Sequence, residues 1–260
     1  MSNVMHKKKF IVVSLGLGVN STAMLVGMAE RDIKPDLIIF SDTGAERPST
    51  YDFIKPLNMW LYSVGFPDIT IVRVSGELLV ENHIRRKQLP AVAYGGKKTC
   101  SLRWKIEPFE KYLNSHAEAK LFIKGGGLIT KYIGIDANES HRAKQPLGDQ
   151  AKKYINEFPL IDWAWGRDRC IHAIIGAGLR NPGKSSCYCC PNMRKSEIME
   201  LKQNNPKLLK LALEMESNAE LTTIAGLGRT WKWSQLIATD DMFGFHDRAD
   251  DSCMTCYDGD

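Results

Sequence analysis

Two groups of residues in this chain could do chemistry by their type and spacing. The first is Ser14-Leu15-Gly16-Leu17-Gly18-Val19-Asn20-Ser21-Thr22, which follows a β-branched run and precedes the helix-like Ala23-Met24-Leu25-Val26-Gly27-Met28. Glycines there let the backbone turn with its N–H groups facing inward, and Ser21 and Thr22 are suited to cap a helix whose positive end attracts anions. The expected ligand is a phosphate; the plain alternative is an ordinary strand-to-helix turn that needs glycine. The loop has neither the Gly-Lys-Ser/Thr ending of a Walker loop nor the Gly-x-Gly-x-x-Gly spacing of a dinucleotide fold.

The second group is the cysteines. There are seven, an odd number concentrated late in the chain, which favours metal or thiol chemistry in a reducing compartment over a disulfide framework. Cys187/Cys190 and Cys253/Cys256 each separate two thiols by two residues, a gap that lets both turn toward one metal ion or cluster edge. Cys170, beside Ile171, reads as a packing residue, and Cys189 as a partly buried neighbour of the ligands. His172 and His246 have no partner at suggestive spacing and read as structural.

Both groups need elements to hold them. Apolar runs at 10–14, 36–41, 69–74 and 132–135 read as strands, alternating with amphipathic helices at 21–31, 50–64 and 106–114. That alternation predicts an α/β fold: an open, mostly parallel sheet with helices on both faces. After about Tyr154 the texture changes to Trp163, Trp165, Gly176, Gly178, Pro182 and Gly183 around the cysteine cluster, then helices at 196–203 and 206–216. Residues 1–154 are therefore expected to form the α/β domain. Residues 155–260 are expected to form a cysteine-bearing C-terminal lobe and tail without independent stability.

A chain with 35 basic and 30 acidic residues favours anionic ligands without the concentrated excess of a dedicated nucleic-acid binder. Lys7-Lys8-Lys9 and the apolar run after it look like part of a secretory signal. Ser14, Gly16 and Gly18 interrupt that run, and no stretch of about 18 apolar residues could span a bilayer, so a cytoplasmic strand and loop is the expectation, with no membrane partner. Arg85-Arg86-Lys87 and Lys97-Lys98 flank Tyr94-Gly95-Gly96, either as a basic flap over a phosphate or as a solvated face. Trp231 and Trp233 suit stacking on a base or anchoring a core.

Three ordered motifs carry a resemblance. The loop at 14–22 resembles the Ser-Gly-Gly-x-Asp-Ser loop of the N-type ATP pyrophosphatases and of the sulfonucleotide reductases, which act on phosphoadenosine phosphosulfate (PAPS) and adenosine phosphosulfate (APS). Asp42-Thr43-Gly44-Ala45-Glu46-Arg47-Pro48-Ser49-Thr50-Tyr51 is similar to the reductases' Asp-Thr-Gly-x-x-x-Pro-x-Thr-Tyr, and Gly134-Ile135-Asp136-Ala137-Asn138-Glu139-Ser140-His141-Arg142 to their Gly-x-Arg-x-x-Glu-Ser-x-Arg. Cys100 to Pro108 resembles the iron-sulfur members' Cys-Cys-x-x-Arg-Lys-Val-x-Pro, with Ser101 at the second cysteine and Trp104 at the arginine; Cys187 to Arg194 resembles their later Cys-x-x-Cys-x-Arg. Asn20 stands where the loop often has Asp, Val19 where it often has Lys, and Asp136 where the later motif has Arg.

The resemblance implies a site. Ser14, Gly16, Gly18, Asn20, Ser21, Thr22 and Gly134 would surround phosphate, Asp42, Thr43 and Gly44 would lie near adenine or ribose, and Arg142 would face phosphate or sulfate. Cys100, Cys187, Cys190 and Cys253 would hold a 4Fe-4S cluster, or zinc as the alternative, with Cys189 and Cys256 as further candidates for the fourth ligand. Cys256 would otherwise be the nucleophile that attacks the sulfur of the nucleotide, with a thioredoxin-type donor. Three functions follow as expectations: a PAPS reductase-like enzyme taking PAPS, APS or ATP; ATP-dependent sulfur insertion into DNA or tRNA, making nucleic acid a partner; and a non-catalytic, metal-stabilised nucleotide-binding protein.

Overall fold

The computed structural model of the protein describes residues 9–90 and 99–243. The β-branched run Phe10–Leu15 forms β1, followed by α1 (Val19–Ala29), β2 (Leu37–Ser41), α2 (Pro48–Ser63) and β3 (Ile69–Val72). Next come α3 (Leu79–Arg85), α4 (Thr99–Ser101), a π turn (Leu102–Ile106), α5 (Glu107–Ser115), α6 (Ala117–Lys124) and β4 (Ile129–Ile133). The rest comprises β5 (Tyr154–Glu157), α7 (Pro159–Asp162), α8 (Arg167–Gly176), α9 (Lys195–Asn204), α10 (Pro206–Asn218) and α11 (Trp233–Phe243).

The five strands pair in parallel in the order β3-β2-β1-β4-β5. Val13 lies opposite Ile38 on one side and Tyr132 on the other. Alternation along the strands feeds two cores. Val13, Leu15, Ile38, Phe40 and Tyr132 pack with α1, α2 and α8, while Phe10, Val12, Ile39 and Ile129 pack with Phe109 and Leu113 of α5 and Ala119 of α6. Both faces of the sheet are covered, as a parallel sheet requires. The open α/β fold expected from the sequence is the one observed.

Several boundaries differ from expectation. α1 begins at Val19 with Gly18 as its N-cap and no side-chain cap; Ser21 and Thr22 lie inside its first turn. Ser21 Oγ accepts the Gly16 N–H at 3.1 Å and donates to the Gly18 carbonyl at 3.3 Å, so it ties the loop rather than capping the helix. α2 starts at Pro48, whose missing N–H is no loss in a first turn. β4 comes three residues early because Gly126, at φ +80°, ends the α6 turn and sends the chain straight into the sheet. β5 was not foreseen: it is a four-residue edge strand with Ile155 exposed and too little apolar content to announce itself.

Contacts divide the described residues into two units. The first comprises residues 9–42, 47–72 and 108–185 and contains the sheet. The second comprises 43–46, 73–90, 99–107 and 186–243. Residues 155–185, which the sequence assigned to the C-terminal lobe, belong to the sheet unit because β5, α7 and α8 complete its edge and one face. In the second unit, Leu79, Trp104, Tyr188, Ile198, Leu201, Leu209, Met215 and Trp233 share a core. The buried Glu216 carboxylate accepts the backbone N–H groups of Leu227, Trp233 and Ser234 at 2.8–2.9 Å and so pins the connection between α10 and α11.

Candidate functional site

In the sheet unit, β2 lies on one side of β1 and β4 on the other, so the strand order reverses between β1 and β4. The crevice outside the carboxyl ends of the strands at such a reversal is where open α/β sheets bind ligands. Residues 14–22 and 134–142 both emerge there. A Cβ on Gly134 would stand 2.7 Å from the Ser21 N and Cα, so only glycine lets the end of β4 reach the first turn of α1 this closely. Gly18 is constrained less tightly, since a Cβ there would lie 2.8 Å from Ser185 Oγ, which can rotate, and 3.2 Å from the Ser185 backbone N.

Leu17, between the two loop glycines, is held at φ +58°. The left-handed conformation costs roughly 1–2 kcal/mol for such a residue. Its buried side chain offsets this, since burying a leucine contributes about 1.5–3 kcal/mol. The Val19 N–H donates to the Gly183 carbonyl at 3.2 Å, and Thr22 Oγ1, fully buried in the same turn, has no hydrogen-bond partner. At the end of β2, Asp42 is buried, and its Oδ1 accepts the Tyr51 hydroxyl at 2.8 Å.

The two departures from the family pattern meet in space. Asn20 Nδ2 donates to Asp136 Oδ2 at 3.0 Å, and Asp136 Oδ1 accepts the Asn138 N–H at 3.0 Å. Arg167, a residue the sequence did not single out, donates from Nη1 to Asn20 Oδ1 at 3.0 Å. Arg142, the expected oxyanion ligand, instead pairs with Glu139 at 2.6 Å in an exposed 3₁₀ turn (Ala137–Arg142).

The cysteine site belongs to the second unit. Glu46 and Cys187 form an isolated antiparallel bridge, reinforced by the Tyr188 N–H donating to the Ala45 carbonyl at 2.8 Å. Cys187 Sγ lies 3.2 Å from Thr43 Oγ1 in hydrogen-bond contact and 3.8 Å from Glu46 Oε1. Lys105, delivered by the π turn, donates to that same Glu46 oxygen at 3.2 Å, while Glu46 Oε2 is buried without a partner. Gly44 is required by φ +73° and by the Leu78 side chain, which a Cβ would meet at 2.6 Å.

Cys190 is within electrostatic reach of both Cys100 and Cys187. Burial, then the neighbouring Cys190, pushes the Cys100 thiol up to about 11. Burial and the Glu46 carboxylate push Cys187 higher still. Burial pulls the Lys105 ammonium down, but Glu46 and the thiols more than reverse this. The upward shifts at Cys100 and Cys187 favour their thiol forms at neutral pH, and a soft metal or cluster is the group that would make them thiolates. As soft sulfur donors Cys100, Cys187 and Cys190 suit such a group by their chemistry. Among the described residues no three His, Cys, Asp or Glu groups are spaced to close on one ion. The remaining donors expected from the sequence, Cys253 and Cys256, lie outside the described residues, as does the Tyr94-to-Lys98 part of the basic flap.

Cys189 and Cys170 are fully buried among apolar neighbours. Arg85 pairs with Glu77 at 2.8 Å and Lys87 with Glu220 at 2.6 Å, so this part of the basic run is engaged in ion pairs. Trp233 is a core side chain. No described helix is long and apolar enough to cross a membrane.

Fold and site together define a parallel α/β protein with a strained, glycine-flanked loop at its switch point and a separate thiol cluster. No family model matches the chain. It is similar to an uncharacterized protein of Methanocaldococcus jannaschii, with 23% identity over 239 residues, covering 89% of this chain and 53% of that one. It is also similar to an uncharacterized nin region protein of Escherichia phage lambda, with 28% identity over 196 residues, covering 65% and 63%. The chain thus spans less than two thirds of the length of the curated relatives it matches. Among solved structures it is similar to the PAPS reductase of Candida auris in its phosphate complex, with 14% identity, TM-score 0.44, and 67% of this chain and 76% of that one covered. It is similar too to the U34-tRNA thiolase of Methanococcus maripaludis with its 4Fe-4S cluster, with 15% identity, TM-score 0.41, and coverage of 96% and 86%.

Proposed function

We propose that this chain is a PAPS reductase-like enzyme that binds an adenine nucleotide on the loop at 14–22 and reduces or transfers the sulfur of its phosphosulfate through cysteine thiolates. The observation that carries this reading is the meeting of two family-like motifs, at Asn20 and at Asp136, in the crevice where the strand order reverses. The first turn of α1 supplies a positive helix end for phosphate. By the resemblance Asp42, Thr43 and Gly44, which follow β2 in the chain, would lie near the base or ribose. Cys100, Cys187 and Cys190, with Cys253 from the tail, would hold the metal group. A 4Fe-4S cluster or zinc bound there supplies the positive charge that keeps these sulfurs deprotonated.

In the reductive reaction a Cys256 thiolate attacks the sulfur of the phosphosulfate. The S–O bond to phosphate breaks, the adenine nucleotide leaves as its phosphate, and the enzyme carries Cys–S–SO₃⁻. A second thiolate attacks the cysteine sulfur, forming a disulfide and releasing sulfite, and a thioredoxin-type dithiol reduces that disulfide. The second reading, ATP-dependent sulfur insertion into DNA or tRNA, shares the nucleotide loop and the thiols but requires pyrophosphate release.

One assay separates them. Incubated anaerobically with PAPS or APS and a dithiol donor, the enzyme should release sulfite, and Cys256→Ser should abolish release while nucleotide binding persists. Pyrophosphate release from ATP, stimulated by tRNA or DNA and without sulfite from either sulfonucleotide, would replace the first reading with the second. Nucleotide binding with neither product would leave a binding protein.

A further inference from the structure

The family pattern described above has an acid in the loop, at position 20, and a guanidinium after β4, at position 136. This chain has neither, having Asn20 and Asp136 instead. Read along the sequence these are two losses. In the structure they are one rearrangement, because the Asn20 amide donates to the Asp136 carboxylate. The acid has moved from the loop to the strand end, where Asp136 is only 3% exposed and both its oxygens accept hydrogen bonds.

The guanidinium has moved as well. Arg167 is the first residue of α8, and its Nη1 donates to the side-chain amide oxygen Oδ1 of Asn20. Its position is fixed by the segment just before it. The Ala137 N–H donates to the Trp165 carbonyl at 2.9 Å, and a Cβ on Gly166 would stand 3.1 Å from Asn138 Oδ1, so the start of α8 is seated on residues 137–138. One carboxylate and one guanidinium still meet here, but the carboxylate follows β4 and the guanidinium lies on α8. The loop residue between them is now neutral and accepts from one partner while donating to the other. Arg142, the other arginine near this end of the sheet, is occupied by Glu139.

We propose that Arg167 is the specificity-determining arginine of the nucleotide site, taking the phosphate- or sulfate-facing role that the resemblance gives to Arg142. A guanidinium has five N–H donors, and the bond to Asn20 engages one. The exposed remainder of the planar fork suits a pair of oxygens of a phosphate or sulfate group seated on the first turn of α1. Thr22 Oγ1, buried in that turn without a partner, is the second group there with a hydrogen bond to give. The ligand class is an adenine nucleotide whose phosphate or sulfate oxygens, rather than its sugar, set the affinity. This inference rests on the nucleotide reading proposed above.

The test is calorimetric titration of the full chain with ATP, PAPS and adenosine. Charge-assisted bonds of this type make Arg167→Ala about 10- to 100-fold weaker for the phosphorylated ligands. Adenosine should bind both proteins equally, and Lys152→Ala should bind all three ligands within about twofold of the parent, since its ion pair with Asp149 is exposed. Arg167→Gln keeps a donor for Asn20 without the charge. If Arg167 only props the loop, this variant restores affinity; if Arg167 reads the oxyanion, it remains as weak as alanine. Parent-like ATP and PAPS binding by Arg167→Ala, or full rescue by Arg167→Gln, overturns the proposal alone. Failure of the parent chain to bind any adenine nucleotide overturns the nucleotide reading and this inference with it.

Discussion

Gly134 shows how one missing methyl group sets a site. A Cβ there would press on the Ser21 backbone, which cannot swing away as a flexible side chain would. Gly134→Ala should therefore destabilise the protein by about 1–3 kcal/mol, as overpacking typically does. It should also weaken nucleotide binding more than tenfold, because the first turn of α1 must retreat from residue 134 and Asn20 loses its distance to Asp136. Urea unfolding and nucleotide titration of the same variant check both effects. Gly176→Ala is the control: nothing lies within 4 Å of its added Cβ, so neither quantity should fall. An unperturbed Gly134→Ala would mean that contact at the switch point does not control the loop. Residue-scale signals such as this glycine were legible in the sequence as motif positions. Arg167 and Glu46 were not singled out as site residues, because neither an arginine nor a glutamate announces its partner when that partner lies far along the chain.

At the scale of elements, the α10–α11 connection depends on one side chain. Glu216 accepts three backbone N–H groups, two of them on Oε1. Glu216→Gln replaces an acceptor with an amide donor facing a donor. The expected loss is about 2–4 kcal/mol, on the order of a charged hydrogen bond broken and a buried N–H left unsatisfied. Hydrogen exchange should show lost protection at Leu227, Trp233 and Ser234 before the sheet strands change; retained protection at those amides would show that the connection holds without the carboxylate. The elements themselves were legible to differing degrees. β1 and β2 were visible because interior strands covered on both faces leave a continuous apolar trace, and β3 because its run Ile69-Thr70-Ile71-Val72 is β-branched throughout although Ile71 is exposed. β5 was hidden by being short and at an edge. α8 was hidden because its helix mixes Arg167, Asp168 and Arg169 with the buried Cys170, Ala173 and Ile174, so only one narrow face is apolar.

For the molecule as a whole, the thiol site depends on segments that are distant in sequence. Cys100 comes from α4 and Cys187 and Cys190 from the segment before α9, and the expected Cys253 lies in the tail. Anaerobically purified full chain should contain either iron with matching sulfide or stoichiometric zinc. Cys100→Ser, Cys187→Ser and Cys190→Ser should each lower that content severalfold, while Cys170→Ser, which alters a sulfur in the core of the sheet unit, should not. Full-length protein free of iron and zinc, or equal metal content in all four variants, would remove the metal from the site. The measurement must use the full chain, because no single segment carries the complete donor set.

By itself the sequence determined the alternation of strands and helices, the position of the glycine-flanked loop after β1, and the order of the motifs that point to an adenine nucleotide. These depend on local pattern: apolar periodicity, glycine at tight turns, and cysteines two residues apart. Only the tertiary structure decided that Asn20 and Asp136 are hydrogen-bonded, that Arg167 rather than Arg142 reaches Asn20, and that Glu46, to which Lys105 donates, stands beside Cys187. Those pairs are separated by 116 residues for Asn20 and Asp136, 147 for Asn20 and Arg167, and 141 for Glu46 and Cys187. A hydrogen bond depends on distance in space, and for such pairs that distance is set by the packing of the whole sheet unit or the whole thiol-bearing unit, not by the spacing of residues along the chain.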